Sequence, residues 1–125
     1  MTPPGATPEY LIVDDEPDMC WAMAHILCTF GFSSVSAQRG EDVLTILKKK
    51  RFKQVFMDAK LPDIEGLELA SSAREIDPAA KIVLVSGYYY RDDLQIQRAL
   101  AEGTICHFVA KPFTHSDILA TIKRD

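Results

Sequence analysis

The stretch Tyr10-Leu11-Ile12-Val13-Asp14-Asp15 decides the fold of this chain, because a short apolar run ends directly in two carboxylates. Two later runs have the same form, Val55-Phe56-Met57-Asp58 and Phe108-Val109-Ala110-Lys111. Nearly continuous apolar runs of this length are typical of parallel strands whose two faces are both covered. The carboxyl ends of such strands form the crevice in which open α/β sheets bind ligands. The pattern therefore predicts a site where three aspartates and a lysine converge.

Strand-like and helix-like segments alternate five times along the sequence. The predicted strands are 10–13, 34–37, 54–57, 81–85 and 105–109, and the second, the most polar, suits a sheet edge. The predicted helices run from Pro17 to Gly31, then about 40–50, 67–76 and 92–101, and the last opens with the capping-box pattern Thr114-His115-Ser116-Asp117. This alternation predicts an α/β fold of the (βα)₅ type with a parallel sheet and right-handed crossovers.

Length and composition indicate one ordinary globular domain. The chain has 125 residues, of which 47% are hydrophobic and 26% charged. Residues 1–8 are expected to form a disordered tail and 9–125 the domain, and an effector domain could lie outside this chain. The formal net charge of −4 argues against nucleic-acid binding by the domain itself. No apolar run approaches the roughly 18 residues of a membrane span.

Cysteine usage indicates a reducing compartment. Cys20 and Cys28 share a predicted helix and lie about 12 Å apart along its axis. That distance is too large for a disulfide, and the third cysteine, Cys106, belongs to no CxxC pair. We therefore expect reduced thiols and a cytoplasmic location.

The converging charges indicate phosphoryl chemistry. Three carboxylates at one edge repel one another, and a small hard cation such as Mg²⁺, bound by oxygen ligands, would supply the counter-charge. Lys111 adds a second positive group that could hold an anion. Each charged residue alone could equally be a turn or cap residue, but their joint placement favours a functional site.

Four motifs in order resemble those of the response-regulator receiver domain of two-component signalling. They are Val13-Asp14-Asp15-Glu16-Pro17, the run from Asp58 to Leu69, Ser86-Gly87, and Phe108-Val109-Ala110-Lys111-Pro112. The resemblance implies a flavodoxin-like three-layer sandwich with strand order 2-1-3-4-5. It also implies that a histidine kinase phosphohistidine phosphorylates Asp58, and that the domain assists this reaction without being a turnover enzyme.

The resemblance further implies how a cation would be held. Asp15 and Asp58 would bind Mg²⁺ through their side chains and Lys60 through its backbone carbonyl. Asp14 would act mainly through metal-bound water. Two positions would flank the phosphoryl group, Lys60 and Tyr88, and their side chains predict a long-lived phosphorylated state.

Phosphorylation drives a conformational switch in this family. By the resemblance, Lys111 would pair with the phosphoryl oxygens and Ser86 would donate a hydrogen bond to one of them. Movement of Ser86 would let Phe108 turn toward the core. Many relatives carry Thr and Tyr at these two positions. Ser lacks the methyl that stiffens χ1, and Phe has no hydroxyl to desolvate, so we expect a looser switch here.

Partner contacts are expected on two faces. Trp21, Ala22 and His25 lie on the first helix, which the family uses to dock the kinase. For Trp21, His25 and Cys28, half-buried packing beside the apolar stripe is the favoured interpretation and kinase docking the alternative. Homodimerisation through the fourth helix, fifth strand and fifth helix is a further expectation from the family. Of Tyr88-Tyr89-Tyr90, not all can face the core, so at least one is a partner-contact candidate.

Two other functions compete with a phosphorylated signalling domain. A receiver fold could serve as a phosphate-independent interaction module, although the complete acid, serine and lysine set argues against this. An aspartyl-nucleophile phosphatase would usually carry D-x-D after its first strand. Here Asp14 and Asp15 are adjacent, and Asp58-Ala59-Lys60 offers no second acid. No glycine-rich dinucleotide motif is present.

Overall fold

The computed structural model describes residues 9–123, so the predicted tail at 1–8 lies outside the described residues. Within this range strands and helices alternate, as the sequence predicts. The strands are β1 (Tyr10–Val13), β2 (Ser34–Ala37), β3 (Gln54–Asp58), β4 (Ile82–Ser86) and β5 (His107–Ala110). The helices are α1 (Pro17–Thr29), α2 (Gly40–Lys49), α3 (Gly66–Ile76), α4 (Leu94–Glu102) and α5 (His115–Lys123).

The strands form one parallel sheet in the order β2-β1-β3-β4-β5, which confirms the implied topology. The register aligns the strand ends that matter for function. Asp58 lies opposite Val85, and Ser86 lies opposite Ala110. Asp58, Ser86 and the residue after Ala110 therefore reach the same edge of the sheet.

Both faces of the sheet are buried, which makes the fold a three-layer sandwich. In β1, Leu11 and Val13 belong to the core beneath α2, α3 and α4. Tyr10 and Ile12, on the opposite face, belong to the core beneath α1 and α5. This alternation explains the continuous apolar run of β1, since every residue along the strand meets a helix layer.

The ends of β3 and β4 extend one residue beyond the predicted strands and take in polar residues. Asp58 ends β3, and Ser86 ends β4. The Ala59 N–H continues the ladder by donating to Val85 O at 3.2 Å. The two side chains are thus fixed by sheet pairing and not by a free loop.

The prediction that the last strand begins at 105 was wrong, because β5 begins at His107. Thr104 and Ile105 instead donate their N–H groups to Ala99 O, at 3.0 and 3.3 Å, and so complete the end of α4. Ile105 is fully buried, which gives it the appearance of a strand residue in the sequence.

Helix ends follow the expected residues with one exception. Gly31 and Gly103 adopt φ of 86° and 79° after α1 and α4, a conformation that favours glycine. The capping box of α5 is confirmed, because Thr114 and Asp117 exchange hydrogen bonds of 2.8 and 3.1 Å. α4 begins at Leu94, later than predicted. Across residues 9–123, every helix is too short or too polar to cross a membrane.

Candidate functional site

Lys111 Nζ lies between two carboxylates at the carboxyl edge of the sheet. It donates to Asp14 Oδ2 at 3.0 Å and to Asp58 Oδ1 at 3.3 Å. The three side chains are largely enclosed, with exposed fractions of 17% for Lys111, 8% for Asp14 and 13% for Asp58. The ends of β1, β3 and β5 therefore bring together three of the four charged residues that the sequence singles out.

Burial and charge shift the pKa values of this cluster. Burial raises the pKa of Asp58 above its ordinary value, and although Lys111 opposes the change, the nearby Asp14 charge adds to it. Burial alone would lower the pKa of Lys111, but the hydrogen bond that Lys111 donates to Asp14 and the charge of Asp58 raise it overall. The raised pKa keeps Lys111 in its charged ammonium form. It faces the Asp58 carboxylate, whose ionised form is partly desolvated.

Asp15 and Glu16 extend the acidic edge into solvent. One carboxylate oxygen from each of Asp14, Asp15 and Glu16 lies within 4.8 Å of the other two. The Glu16 N–H also donates to Asp14 Oδ1 at 3.0 Å, which together with Lys111 orients that carboxylate. Carboxylate oxygens are the donors that hard divalent cations prefer. The donor set therefore fits Mg²⁺, and Glu16 is a member that the sequence analysis did not single out.

Ser86 is fully buried beside this cluster, and its hydroxyl is already engaged. Its Oγ accepts the N–H groups of Tyr88 at 2.8 Å and Tyr89 at 3.0 Å. A serine hydroxyl has two acceptor positions and one proton, so the proton remains available to a further acceptor. The Lys111 N–H donates to Ser86 O at 2.9 Å, which holds the two site residues side by side.

The two flanking residues, Lys60 and Tyr88, contact each other. Lys60 Nζ lies 3.7 Å from the centroid of the Tyr88 ring, a cation–π contact. The Tyr88 ring meets Tyr89 edge-on at 5.0 Å, and the Tyr89 hydroxyl donates to Glu65 Oε1 at 3.0 Å. Burial, with the hydrogen bond to Glu65, raises the pKa of Tyr89 to about 12. These contacts join the β3–α3 loop to the β4–α4 loop.

Phe108 is buried, with 3% of its surface exposed. Arg91 covers it: the guanidinium carbon lies 5.8 Å from the ring centroid, and Nη2 donates to Phe108 O at 2.8 Å. Arg91 comes from the β4–α4 loop, which begins at the Ser86 hydrogen bonds. The same loop therefore contacts both residues of the expected switch.

The interpretation of Trp21, His25 and Cys28 as half-buried flank residues was wrong. Trp21 is 69% exposed, and His25 and Cys28 are exposed as well. The Trp21 and His25 rings stack with centroids 5.2 Å apart and planes 9° apart, while Ala22 between them is half-buried. The buried face of α1 is instead formed by Cys20, Met23, Ile26 and Leu27.

The β3–α3 loop holds residues that sequence reasoning missed. Asp63 accepts hydrogen bonds from the N–H groups of Gly40 and Glu41, at 2.9 and 3.1 Å, across the start of α2. The Gly40 hydrogen bond holds the pKa of Asp63 below its usual range. Gly66 approaches β3 so closely that a Cβ there would lie 2.5 Å from Asp58 O. Gly66 lies in the motif that runs from Asp58 to Leu69, but the spacing of residues in that motif does not predict its close packing against β3.

Comparison with known proteins agrees with this architecture. The family model described as the response regulator receiver domain matches residues 10–123. A response regulator receiver protein of Anaeromyxobacter sp. is 34% identical over 71% of this chain, which spans 37% of that relative. Sporulation initiation phosphotransferase F of Bacillus subtilis is 29% identical over 91% of this chain and 90% of its own.

Solved structures show the same fold. A CheY-like response regulator receiver domain from Methanospirillum hungatei superposes with a TM-score of 0.84 at 28% identity, covering 95% of this chain and 93% of its own. The match of the family model over nearly the whole chain defines its class. The chain belongs to the response-regulator receiver domains of two-component systems.

Proposed function

We propose that Asp58 accepts a phosphoryl group from the phosphohistidine of a histidine kinase. The observation that carries the proposal is the position of Lys111 Nζ, 3.0 Å from Asp14 and 3.3 Å from Asp58 at the carboxyl edge of the sheet. An ammonium held there offsets the carboxylate charge and can accompany an anion bound to Asp58. Membership of a family that interacts with histidine kinases supports the donor.

The transfer forms one bond and breaks one. An Oδ of the Asp58 carboxylate attacks phosphorus in line, the P–N bond to the donor imidazole breaks, and the imidazole nitrogen keeps the electron pair. The product is an acyl phosphate that carries about −1.5 to −2 charges at neutral pH. Transfers of this kind depend mainly on positioning and charge stabilisation. Lys111 supplies both by donating to the phosphoryl oxygens.

A cation site completes the proposal. Asp15 and Asp58 would hold Mg²⁺ through their side chains and Lys60 through its backbone carbonyl, while Asp14 would act mainly through metal-bound water. The carboxylate oxygens of Asp14 and Asp15, within 4.8 Å of each other, support two of these ligands. Asp58 lies outside that cluster and is joined to Asp14 through Lys111 Nζ. When bound, the cation supplies positive charge beside the attacking carboxylate and the phosphoryl oxygens.

The output is proposed to change through Ser86. If rotation about χ1 carries the Ser86 Oγ away to donate to the phosphoryl group, the Tyr88 and Tyr89 N–H groups lose their acceptor. The β4–α4 loop would then be free to rearrange, and with it Arg91, which covers Phe108. The burial of Phe108 supports the expectation of a loose switch whose inward position is populated without phosphate. An NMR exchange experiment that finds a single outward Phe108 in the unphosphorylated protein would contradict it.

A long phosphoryl lifetime remains our proposal for the pair Lys60 and Tyr88. Their contact at 3.7 Å supports a joint cover at the edge of the site. We expect Tyr88→Ala to speed hydrolysis of the acyl phosphate. An unchanged hydrolysis rate, measured by the decay of the phosphorylated mass, would remove the covering role.

The surfaces that we propose for partner binding are inferred from exposed side chains and from the habits of the family. The stacked, exposed Trp21 and His25 support kinase docking on α1, with Ala22 beside them. A homodimer through α4, β5 and α5, an output domain elsewhere in a longer protein, and a cytoplasmic location are parts of the same proposal. So is the expectation that the domain has no substrate of its own beyond the phosphodonor.

Intact mass spectrometry tests the proposed function. Wild type and Asp58→Ala are incubated with acetyl phosphate in Mg²⁺ or in EDTA. We expect one added phosphoryl mass in wild type with Mg²⁺ and none in the other three reactions. No adduct in wild type, with beryllofluoride also failing to bind, would favour a phosphate-independent interaction module.

A further inference from the structure

The β3–α3 loop, residues 59–65, is closed on itself above the phosphoacceptor strand. At its base the Gly66 N–H donates to Ala59 O at 2.7 Å. One step further out, Lys60 and Glu65 form an antiparallel bridge. The loop is therefore a short, internally paired unit, and a displacement of its tip is transmitted to Lys60.

The tip of this loop is bound to another element, the start of α2. The Leu61 N–H donates to Ile64 O at 3.3 Å and so closes the turn at the tip. Asp63 Oδ1 accepts the Gly40 N–H at 2.9 Å, and Asp63 Oδ2 accepts the Glu41 N–H at 3.1 Å. The first turn of a helix has free N–H groups, and its positive end stabilises a carboxylate.

The start of α2 is shaped to receive the loop. Its N-cap residue, Arg39, provides no side-chain hydrogen bond, so Asp63 fills that role from a distant part of the sequence. Gly40 has no side chain, and a Cβ at this position would overlap Ile64 Cγ2. The glycine and the aspartate therefore form two halves of one contact.

We infer that Asp63 is a positioning residue for cation binding, because it fixes the tip of the loop whose backbone presents the Lys60 carbonyl to the metal. The inference rests on the proposed metal role of that carbonyl. Asp63 itself touches neither cation nor phosphoryl group. With the carboxylate removed, the tip separates from α2 and the carbonyl is no longer held in one place before the cation arrives.

Three variants separate positioning from general stability. Asp63→Ala removes both hydrogen bonds, and Asp63→Asn keeps one acceptor oxygen. Asp117→Ala is the matched control, because Asp117 likewise accepts a backbone N–H, that of Thr114 at 2.8 Å, at the start of α5. This variant removes an exposed carboxylate that caps α5 and not α2.

Two properties of the whole chain are measured, its Mg²⁺ affinity and its amide exchange rates. Mg²⁺ affinity is measured by titration in calorimetry or NMR, without any phosphodonor. We expect Asp63→Ala to weaken it by roughly tenfold, the usual lower range for loss of a residue that supports a metal ligand. Asp63→Asn should lie between, and Asp117→Ala should match wild type. In metal-free protein, the Gly66 and Leu61 amides should exchange with solvent faster in Asp63→Ala alone.

Gly40→Ala tests the opposite half of the contact. It leaves Asp63 intact but pushes Ile64 away, so the same weakening of Mg²⁺ affinity is expected. Unchanged affinity and unchanged exchange in Asp63→Ala would overturn the inference, as would an equal loss in Asp117→Ala. If wild type binds no Mg²⁺, the proposed cation site has failed and the positioning role with it, while the metal-free exchange rates still report whether Asp63 fixes the loop.

Discussion

Replacing Gly66 by alanine adds one methyl group at the point where α3 begins against β3. The added Cβ would lie 2.5 Å from Asp58 O and 2.7 Å from Ala59 Cα. Both contacts are to backbone, so no side chain can rotate away to relieve them. The displaced backbone would include that of Asp58, the proposed phosphoacceptor.

The size of the effect follows from these distances. Non-bonded carbon atoms are at their optimum about 3.5–4.0 Å apart, so the backbone must separate by on the order of 1 Å. Overpacking of this kind costs about 1–3 kcal/mol in stability. Alanine is the better helix former, but by at most about 1 kcal/mol, so destabilisation prevails. A 1 Å misplacement of a reacting group costs about 10²-fold in rate.

Two assays on the same protein measure the effect. Urea unfolding gives the change in stability, and the rate of phosphorylation by acetyl phosphate gives the functional change. Gly87→Ala is the matched control, because its Cβ would meet Lys111 Cβ at 3.6 Å, an ordinary contact. We expect Gly66→Ala to lose both stability and rate while Gly87→Ala retains both. Equal behaviour of the two variants would refute the packing argument.

Three further predictions concern individual side chains. Lys111→Met should lower the free energy of unfolding by about 1.5–3 kcal/mol at pH 7, the usual contribution of a hydrogen bond to a charged group, and urea unfolding that shows no loss would contradict it. Asp58→Asn should stabilise the metal-free protein at pH 7. The raised pKa of Asp58 in the folded state means that the stability of wild type falls as pH rises through the carboxyl range, and asparagine removes this loss. In urea unfolding with EDTA the gain should shrink toward pH 4, and a gain independent of pH would count against a raised pKa of Asp58. Tyr89→Phe should cost about 0.5–1.5 kcal/mol and remove the phenol that titrates near pH 12, as followed by ultraviolet absorbance; persistence of that titration would assign it to another tyrosine.

The sequence predicted the sheet because each strand carries its own local signal. β1 and β2 match their predicted bounds, since the apolar run at Tyr10–Val13 and the polar edge at Ser34–Ala37 are each delimited by turn or charged residues. Ile105 misled the prediction of β5, because a buried apolar residue looks the same in sequence whether it pairs in a strand or closes a helix. Trp21 misled the prediction of burial on α1, because a large apolar residue next to a helical apolar stripe gives no sign in the sequence that it faces solvent.

The acidic edge was predictable, but the contacts around it were not. Asp14, Asp58 and Lys111 follow recognisable strands, so their convergence follows from topology alone. The hydrogen bonds between Asp63 and α2 and between Tyr89 and Glu65 join segments more than twenty residues apart. No periodicity encodes such pairs, because they depend on how two loops pack after the sheet has formed.

Locating the phosphoryl group at residue level tests the central claim most directly. After reaction with acetyl phosphate and Mg²⁺, the acyl phosphate is reduced with borohydride, which converts the modified aspartate to an alcohol that peptide mass spectrometry can locate. The proposed function predicts that the reduced residue is Asp58, although Lys111 contacts Asp14 as well. Modification of Asp14 or Asp15 instead, or of no aspartate in a protein that gained the phosphoryl mass, would contradict the account.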